Sequence, residues 1–142
     1  MGLDIYFFKA KRSAYNKYQE EERKFNNLPE EEQGEYPQIE GKEEIGYFRK
    51  VNFLMTELNY TGNCEYKKIT RDSLEELKRK CKAVLENHEP AEKLLPTCSG
   101  FFFGSTEYDE WYFSDVEVVL TWVEGVLEGL ENDEVVLMYC WW

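Results

Sequence analysis

The sequence predicts an α+β domain: a small, mostly antiparallel sheet that includes both terminal strands and is packed by about three helices. Three observations predict it. β-branched and aromatic residues crowd both ends of the chain, at Leu3–Phe8 and Val135–Trp141, and both segments are apolar enough to be interior strands that pair in one sheet. Between them, apolar residues recur at helical spacing in three stretches. The 142 residues, 42% apolar and 16% aromatic, have the length of a single domain and can bury a sizeable core.

Taken in order, Leu3-Asp4-Ile5-Tyr6-Phe7-Phe8 opens as a strand. From Lys9 to Gly41 the composition turns to mixed charge. A short helix is expected around Ala14–Phe25, and a mobile charged loop over Glu20–Gly41, broken by Pro29, Gly34, Pro37 and Gly41. Gly46–Leu58 reads as a helix, with Tyr47, Phe48, Val51, Leu54, Met55 and Leu58 on one stripe and Arg49, Asn52 and Thr56 on another face. Cys64–Ile69 alternates as a half-exposed strand. Ser73-Leu74-Glu75-Glu76 has capping-box spacing and starts a helix to Asn87, its buried side Leu74, Leu77, Cys81, Val84 and Leu85. Phe101-Phe102-Phe103 reads as a short apolar strand or buried turn. A second capping box, Ser114-Asp115-Val116-Glu117, starts a helix to Glu131, and Glu134–Trp142 is the closing strand. The irregular alternation of elements fits a sheet with helices on one face.

Charge is distributed unevenly. Acids outnumber bases 29 to 17, a net charge of −12, which argues against a general nucleic-acid or anionic-membrane binder. No apolar run has the roughly 18 residues of a membrane span, and Met-Gly-Leu-Asp does not open a secretory signal. All 17 bases lie at or before Lys93, and the ten acids from Leu94 onward have no base among them. Cys64, Cys81, Cys98 and Cys140 include no CxxC pair and are read as buried free thiols. No metal-ligand set and no cofactor motif is read from the chain.

The densest chemical constellation is Gly100–Phe113, where aromatics between two glycines lead into Ser105, Thr106, Glu107, Tyr108 and Asp109. It fits an aromatic-walled pocket with a few convergent polar groups, or a strand and capped turn whose rings are core. Arg49, Lys50 and Asn52 are the paired cationic and amide groups that could grip an anionic or planar ligand there, or else form a surface ion pair with the acidic last third. His88, the single histidine, sits at a helix end where it can complement the carbonyl dipoles. Glu117, Glu124, Glu128 and Glu131 form an acidic ridge, either a solvated face or a surface that imitates nucleic-acid phosphates or draws in a basic protein.

Met1-Gly2-Leu3-Asp4-Ile5-Tyr6, Ile45-Gly46-Tyr47-Phe48-Arg49-Lys50-Val51-Asn52, Leu95-Pro96-Thr97 and Ser99–Asp109 together resemble a family of small uncharacterised bacteriophage and prophage proteins. The family's middle motif is Tyr-Trp-Arg-Lys-Ala-Asn followed by a histidine; here Phe48 stands for the tryptophan and Phe53–Leu58 holds no histidine. The resemblance implies a phage or mobile-element origin and a cytoplasmic site of action in a bacterial host. It also groups Arg49, Lys50 and Asn52 with Ser105–Asp109 in one feature. The expected function is a non-enzymatic binder of a host protein or of a small, nucleotide-like ligand. The alternatives are a small enzyme using Glu107, Tyr108 or Asp109 with Arg49 as clamp, and an acidic decoy.

Overall fold

The computed structural model describes residues 2–100 and 102–142. Its centre is an antiparallel pair, β1 (Asp4–Lys11) beside β4 (Glu134–Trp141), in register from Asp4 opposite Trp141 to Lys11 opposite Glu134. β2 (Glu43–Arg49) lies outside β1 and β3 (Tyr66–Ile69) outside β4, giving the order β2-β1-β4-β3 with every neighbour antiparallel. The α+β class and the pairing of the two end segments are thus as the sequence predicts.

Because side chains alternate across a strand, β1 and β4 each carry two apolar faces. Ile5 and Phe7, with Val136, Met138 and Cys140, face α3 (Arg71–Glu86) and α5 (Glu110–Gly129). Leu74, Leu77, Cys81 and Val84 of α3 and Val116, Val119 and Val123 of α5 are fully buried there. Phe8 and Ala10, with Val135 and Leu137, face the other way and meet Tyr15 and Tyr18 of α1 (Arg12–Asn27). Helices on one face alone would have left this second apolar surface in water, so the sheet is covered on both sides.

Gly46–Leu58 is not one helix. β2 runs to Arg49, the chain turns at Lys50, whose φ of 59° fits neither helix nor strand, and α2 is only Phe53–Glu57. Tyr47 and Phe48 are adjacent on a helical stripe but on opposite sides of a strand, and pairing with β1 decides between the two: Phe48 is buried opposite Ile5 and Tyr47 is exposed opposite Tyr6. Glu20–Asn27 is helix rather than loop, stapled by Lys17–Glu21 and Glu20–Lys24 pairs at i,i+4. The charged loop begins at Leu28 and includes one 3-10 turn, Glu30–Glu32.

Both expected capping boxes start their helices too late. Thr70 caps α3 by accepting from the Ser73 N–H at 3.1 Å, and Asp109 caps α5 by accepting from the Trp111 and Tyr112 N–H groups. At the other end of α5, Arg71 donates to the carbonyls of Leu127 and Leu130, which the helix itself leaves unpaired. α4 is the short Ala91–Leu94 turn. Phe101, within the expected aromatic turn, lies outside the described residues; Phe103 is buried. Among the described residues no helix is long and apolar enough to cross a membrane.

Candidate functional site

The residues singled out in the sequence do converge. The end of β2 and the start of α2 bring Arg49, Lys50 and Asn52 beside Ser105, Glu107 and Asp109, around a pocket also lined by Thr97, Trp111 and Asp115. Thr106 and Tyr108 do not line it. Its volume is about 190 Å³, below the roughly 300–1,000 Å³ usual for a small-molecule site.

Its polar groups are largely engaged within the protein. Asn52 is buried; its amide donates to the Phe103 and Ser105 carbonyls at 3.1 and 2.9 Å, and its oxygen accepts from the Cys98 N–H at 3.1 Å. The Tyr108 hydroxyl accepts from the Thr97 N–H, the Thr106 carbonyl accepts from the Thr97 hydroxyl, and Ser105 Oγ accepts from the Glu107 N–H. Asp109 is the cap of α5. These are the bonds of a latch that fixes the 97–109 segment to the start of α2. Burial, with the neighbouring Asp109 carboxylate, raises the pKa of Asp115.

The acidic ridge is interrupted. Glu117 and Glu128 are exposed, but Glu124 lies 3.9 Å from Lys82, and Glu131 falls beyond the end of α5, 3.7 Å from Lys11. His88 stacks on Phe113 with ring centroids 3.6 Å apart. Of the four thiols, Cys81 and Cys140 are buried and Cys64 is exposed, against the expectation that all are buried. Among the described residues no group of three or more His, Cys, Asp or Glu is placed to hold a metal ion.

A much roomier concavity than the Arg49 pocket lies on the second face of the sheet, where the sequence reading expected no site. Tyr6, Phe8, Tyr66 and Tyr139, from three neighbouring strands, make an aromatic floor. Tyr15, Tyr18 and Glu22 of α1 form one wall and the loop residues Tyr36, Pro37 and Gln38 the other, enclosing about 890 Å³. Floor rings sit 5.0 Å apart for Tyr66 and Tyr139 and 6.0 Å for Phe8 and Tyr66, with Tyr18 edge-on to Tyr66 at 5.6 Å. Glu22 joins the walls, accepting from the Tyr18 hydroxyl at 2.8 Å and from that of Tyr36. Lys42 donates to the Tyr66 hydroxyl at 2.6 Å and holds its ammonium 4.7 Å above the Phe8 ring.

Four phenols of this cleft, Tyr15, Tyr18, Tyr36 and Tyr139, are held protonated. Burial holds Tyr15, Tyr18 and Tyr139 above the usual range, and the bond to Glu22 does the same for Tyr36. The hydroxyl protons of Tyr18 and Tyr36 are committed to Glu22, so these two phenols turn acceptor lone pairs toward the cleft. The signal for this site was the strand period itself: Tyr6 and Phe8 interleave with Ile5 and Phe7, so the chain supplies aromatics to both faces. Tyr15 and Tyr18, three apart on a helix that is otherwise mostly polar, were the second cue. Comparison with protein-family models, with curated proteins and with solved structures gives no match to this chain.

Proposed function

We propose that the protein is a non-enzymatic binding protein, an accessory protein of phage type, whose ligand is a small planar molecule of the nucleobase or nucleoside class held in the tyrosine cleft. The observation that carries this reading is the aromatic floor of Tyr6, Phe8, Tyr66 and Tyr139 within a cleft of about 890 Å³. Tyr6 and Phe8 lie nearly parallel, 19° apart at 6.3 Å, while Tyr66 stands at 68° to Phe8 and 51° to Tyr139. The floor thus offers ring faces and edges against which one heterocycle can lie, and base–aromatic stacking is worth about 1–3 kcal/mol per base. Protonated tyrosine hydroxyls and the amides of Gln19, Asn26 and Gln38 supply the donors and acceptors that orient it.

Charge narrows the class further. Among the described residues Lys42 is the one cation lining the cleft, against Glu22, Glu44 and Glu65. Such a lining favours an uncharged nucleoside over its phosphorylated forms, because each phosphate meets three carboxylates and one ammonium that is already bonded to Tyr66. The test is isothermal titration of a panel of nucleobases, nucleosides and their monophosphates, with tyrosine-ring NMR shifts as the site report. Expected are saturable binding of an uncharged member, weaker binding of its monophosphate, and loss of at least tenfold in affinity for Tyr66→Ala. No binding across the panel, or binding that leaves the Tyr66 and Tyr139 ring signals unmoved, refutes the assignment.

A further inference from the structure

The smaller pocket, at the end of β2, shares no residue with the tyrosine cleft. Its latch engages amides, hydroxyls and carbonyls but leaves the charged side chains around it without partners. Arg49, Lys50, Glu107 and Asp115 all line the pocket, and among the described residues none of these side chains makes a hydrogen bond or an ion pair. Arg49 is the exception among the five arginines of the chain: Arg12 and Arg71 donate to carbonyls, and Arg23 and Arg79 pair with glutamates.

Two glycines let the cations gather on one side. Successive side chains of a strand point to opposite faces, but the left-handed turn at Lys50, fixed by its N–H bond to the Leu3 carbonyl, brings its side chain round beside that of Arg49. Both then lie over Gly2, where a Cβ would stand 3.2 Å from Arg49 Nη2 and 3.1 Å from Lys50 Cε. A Cβ on Gly104 would stand 3.1 Å from that of Lys50.

The acids come from the other side, where the 97–109 segment enters α5. Asp109 is occupied in capping the first N–H groups of α5, so the helix terminus is not itself an anion site. Asp115 is partly buried, and burial with the Asp109 carboxylate holds it above the usual range, with no cation to offset them. Trp111, 73% exposed, stands one helical turn before Asp115 and lines the same pocket. A metal ion here would meet Arg49 and Lys50, and an inorganic anion would meet Glu107, Asp109 and Asp115. A ligand carrying both signs satisfies both sides.

We propose that this pocket binds a small zwitterionic amino acid, its carboxylate on Arg49 and Lys50 and its ammonium on Asp115 against the Trp111 ring. Arginine holds a carboxylate through paired N–H donors, and an indole face attracts an ammonium. The volume of about 190 Å³ fits such a ligand and excludes a nucleoside.

The test titrates the protein with glycine, β-alanine and γ-aminobutyrate, which differ in the number of carbons between their charges. Propionate and propylamine, with a single charge each, are the controls. Calorimetry reads affinity, and the Trp111 indole and Gly104 amide NMR signals report the site. Expected are saturable binding of at least one amino acid and at least tenfold weaker binding of both controls. Arg49→Gln and Asp115→Asn should each lose at least tenfold in affinity, with circular dichroism as the folding control; should one variant not fold, the other and the single-charge ligands still decide. Propionate or propylamine binding as tightly as the amino acids overturns the proposal in favour of a simple anion or cation site. So does full affinity in either folded variant, no binding across the panel, or shifts confined to the Tyr66 and Tyr139 rings.

Discussion

Asn52 is the residue whose replacement best separates a latch from a ligand contact. Its side chain makes three hydrogen bonds from a buried position, to Phe103, Ser105 and Cys98. Asn52→Ala leaves the buried Phe103 carbonyl and the part-buried Cys98 N–H without partners, while the exposed Ser105 carbonyl turns to water. At about 1–3 kcal/mol for each of the two orphaned groups, the loss is about 2–6 kcal/mol. For a domain of this size that lowers Tm by roughly 5–20 °C. Asn52→Asp keeps the acceptor for Cys98 but turns a carboxylate toward two carbonyl oxygens, which raises its folded-state pKa above the unfolded value. Its folded form then binds more protons than its unfolded form, so its deficit against the wild type shrinks as pH falls and grows as pH rises. Urea unfolding at several pH values measures both variants, with Arg49→Ala as an exposed control expected within about 0.5 kcal/mol of wild type. A loss below about 0.5 kcal/mol for Asn52→Ala, or a pH-independent deficit for Asn52→Asp, refutes the latch.

Gly46→Val should destabilise by about 1–3 kcal/mol, because a Cβ there meets the Trp122 indole at 2.5 Å, and that ring is held against Phe7 and Phe48; thermal melts and a shifted indole emission check it, and an unchanged melt counts against the packing. Asp109→Ala should lose about 1 kcal/mol through the α5 cap, read by denaturant midpoint, whereas Ser114→Ala should lose far less. Alkylation followed by mass spectrometry should label Cys64 first, with Cys81 and Cys140 protected until global unfolding, since burial excludes reagent and pushes both thiols up to about 12; labelling of Cys81 at the rate of Cys64 would contradict the core assignment.

What the sequence made legible follows from how local each signal was. The apolar runs at Leu3–Phe8 and Val135–Trp141 are strands because nothing else buries so many adjacent large residues. The periodic stretches of α3 and α5 are helices for the same reason, although their first turns began earlier than the Ser-x-x-Glu patterns suggested. Gly46–Leu58 was misread because one short stretch fits both periods until its partner is known, and the partner, β1, is some forty residues away. The grouping of Arg49, Lys50 and Asn52 with Ser105–Asp109 was legible as proximity. The engagement of their polar groups was not, since it depends on the Thr97 and Cys98 backbone. The tyrosine cleft draws on Tyr6, Tyr18, Tyr36, Tyr66 and Tyr139, five segments with no shared motif, and only the sheet order gathers them.

The central place of β4 governs when this protein can fold. A ribosome delivers β4 after β1, β2 and β3, yet β4 joins β1 to β3, and these two strands do not pair with each other. Until Glu134–Trp141 emerges, Ile5 and Phe7 lack one neighbour and β3 has no sheet to join. The β1–β4 register closes a loop from Lys11 to Glu134, a separation that slows folding more than it lowers stability. Structure therefore arrives late and all at once, and a nascent chain stalled before Glu134 presents an open β1 edge to chaperones and proteases.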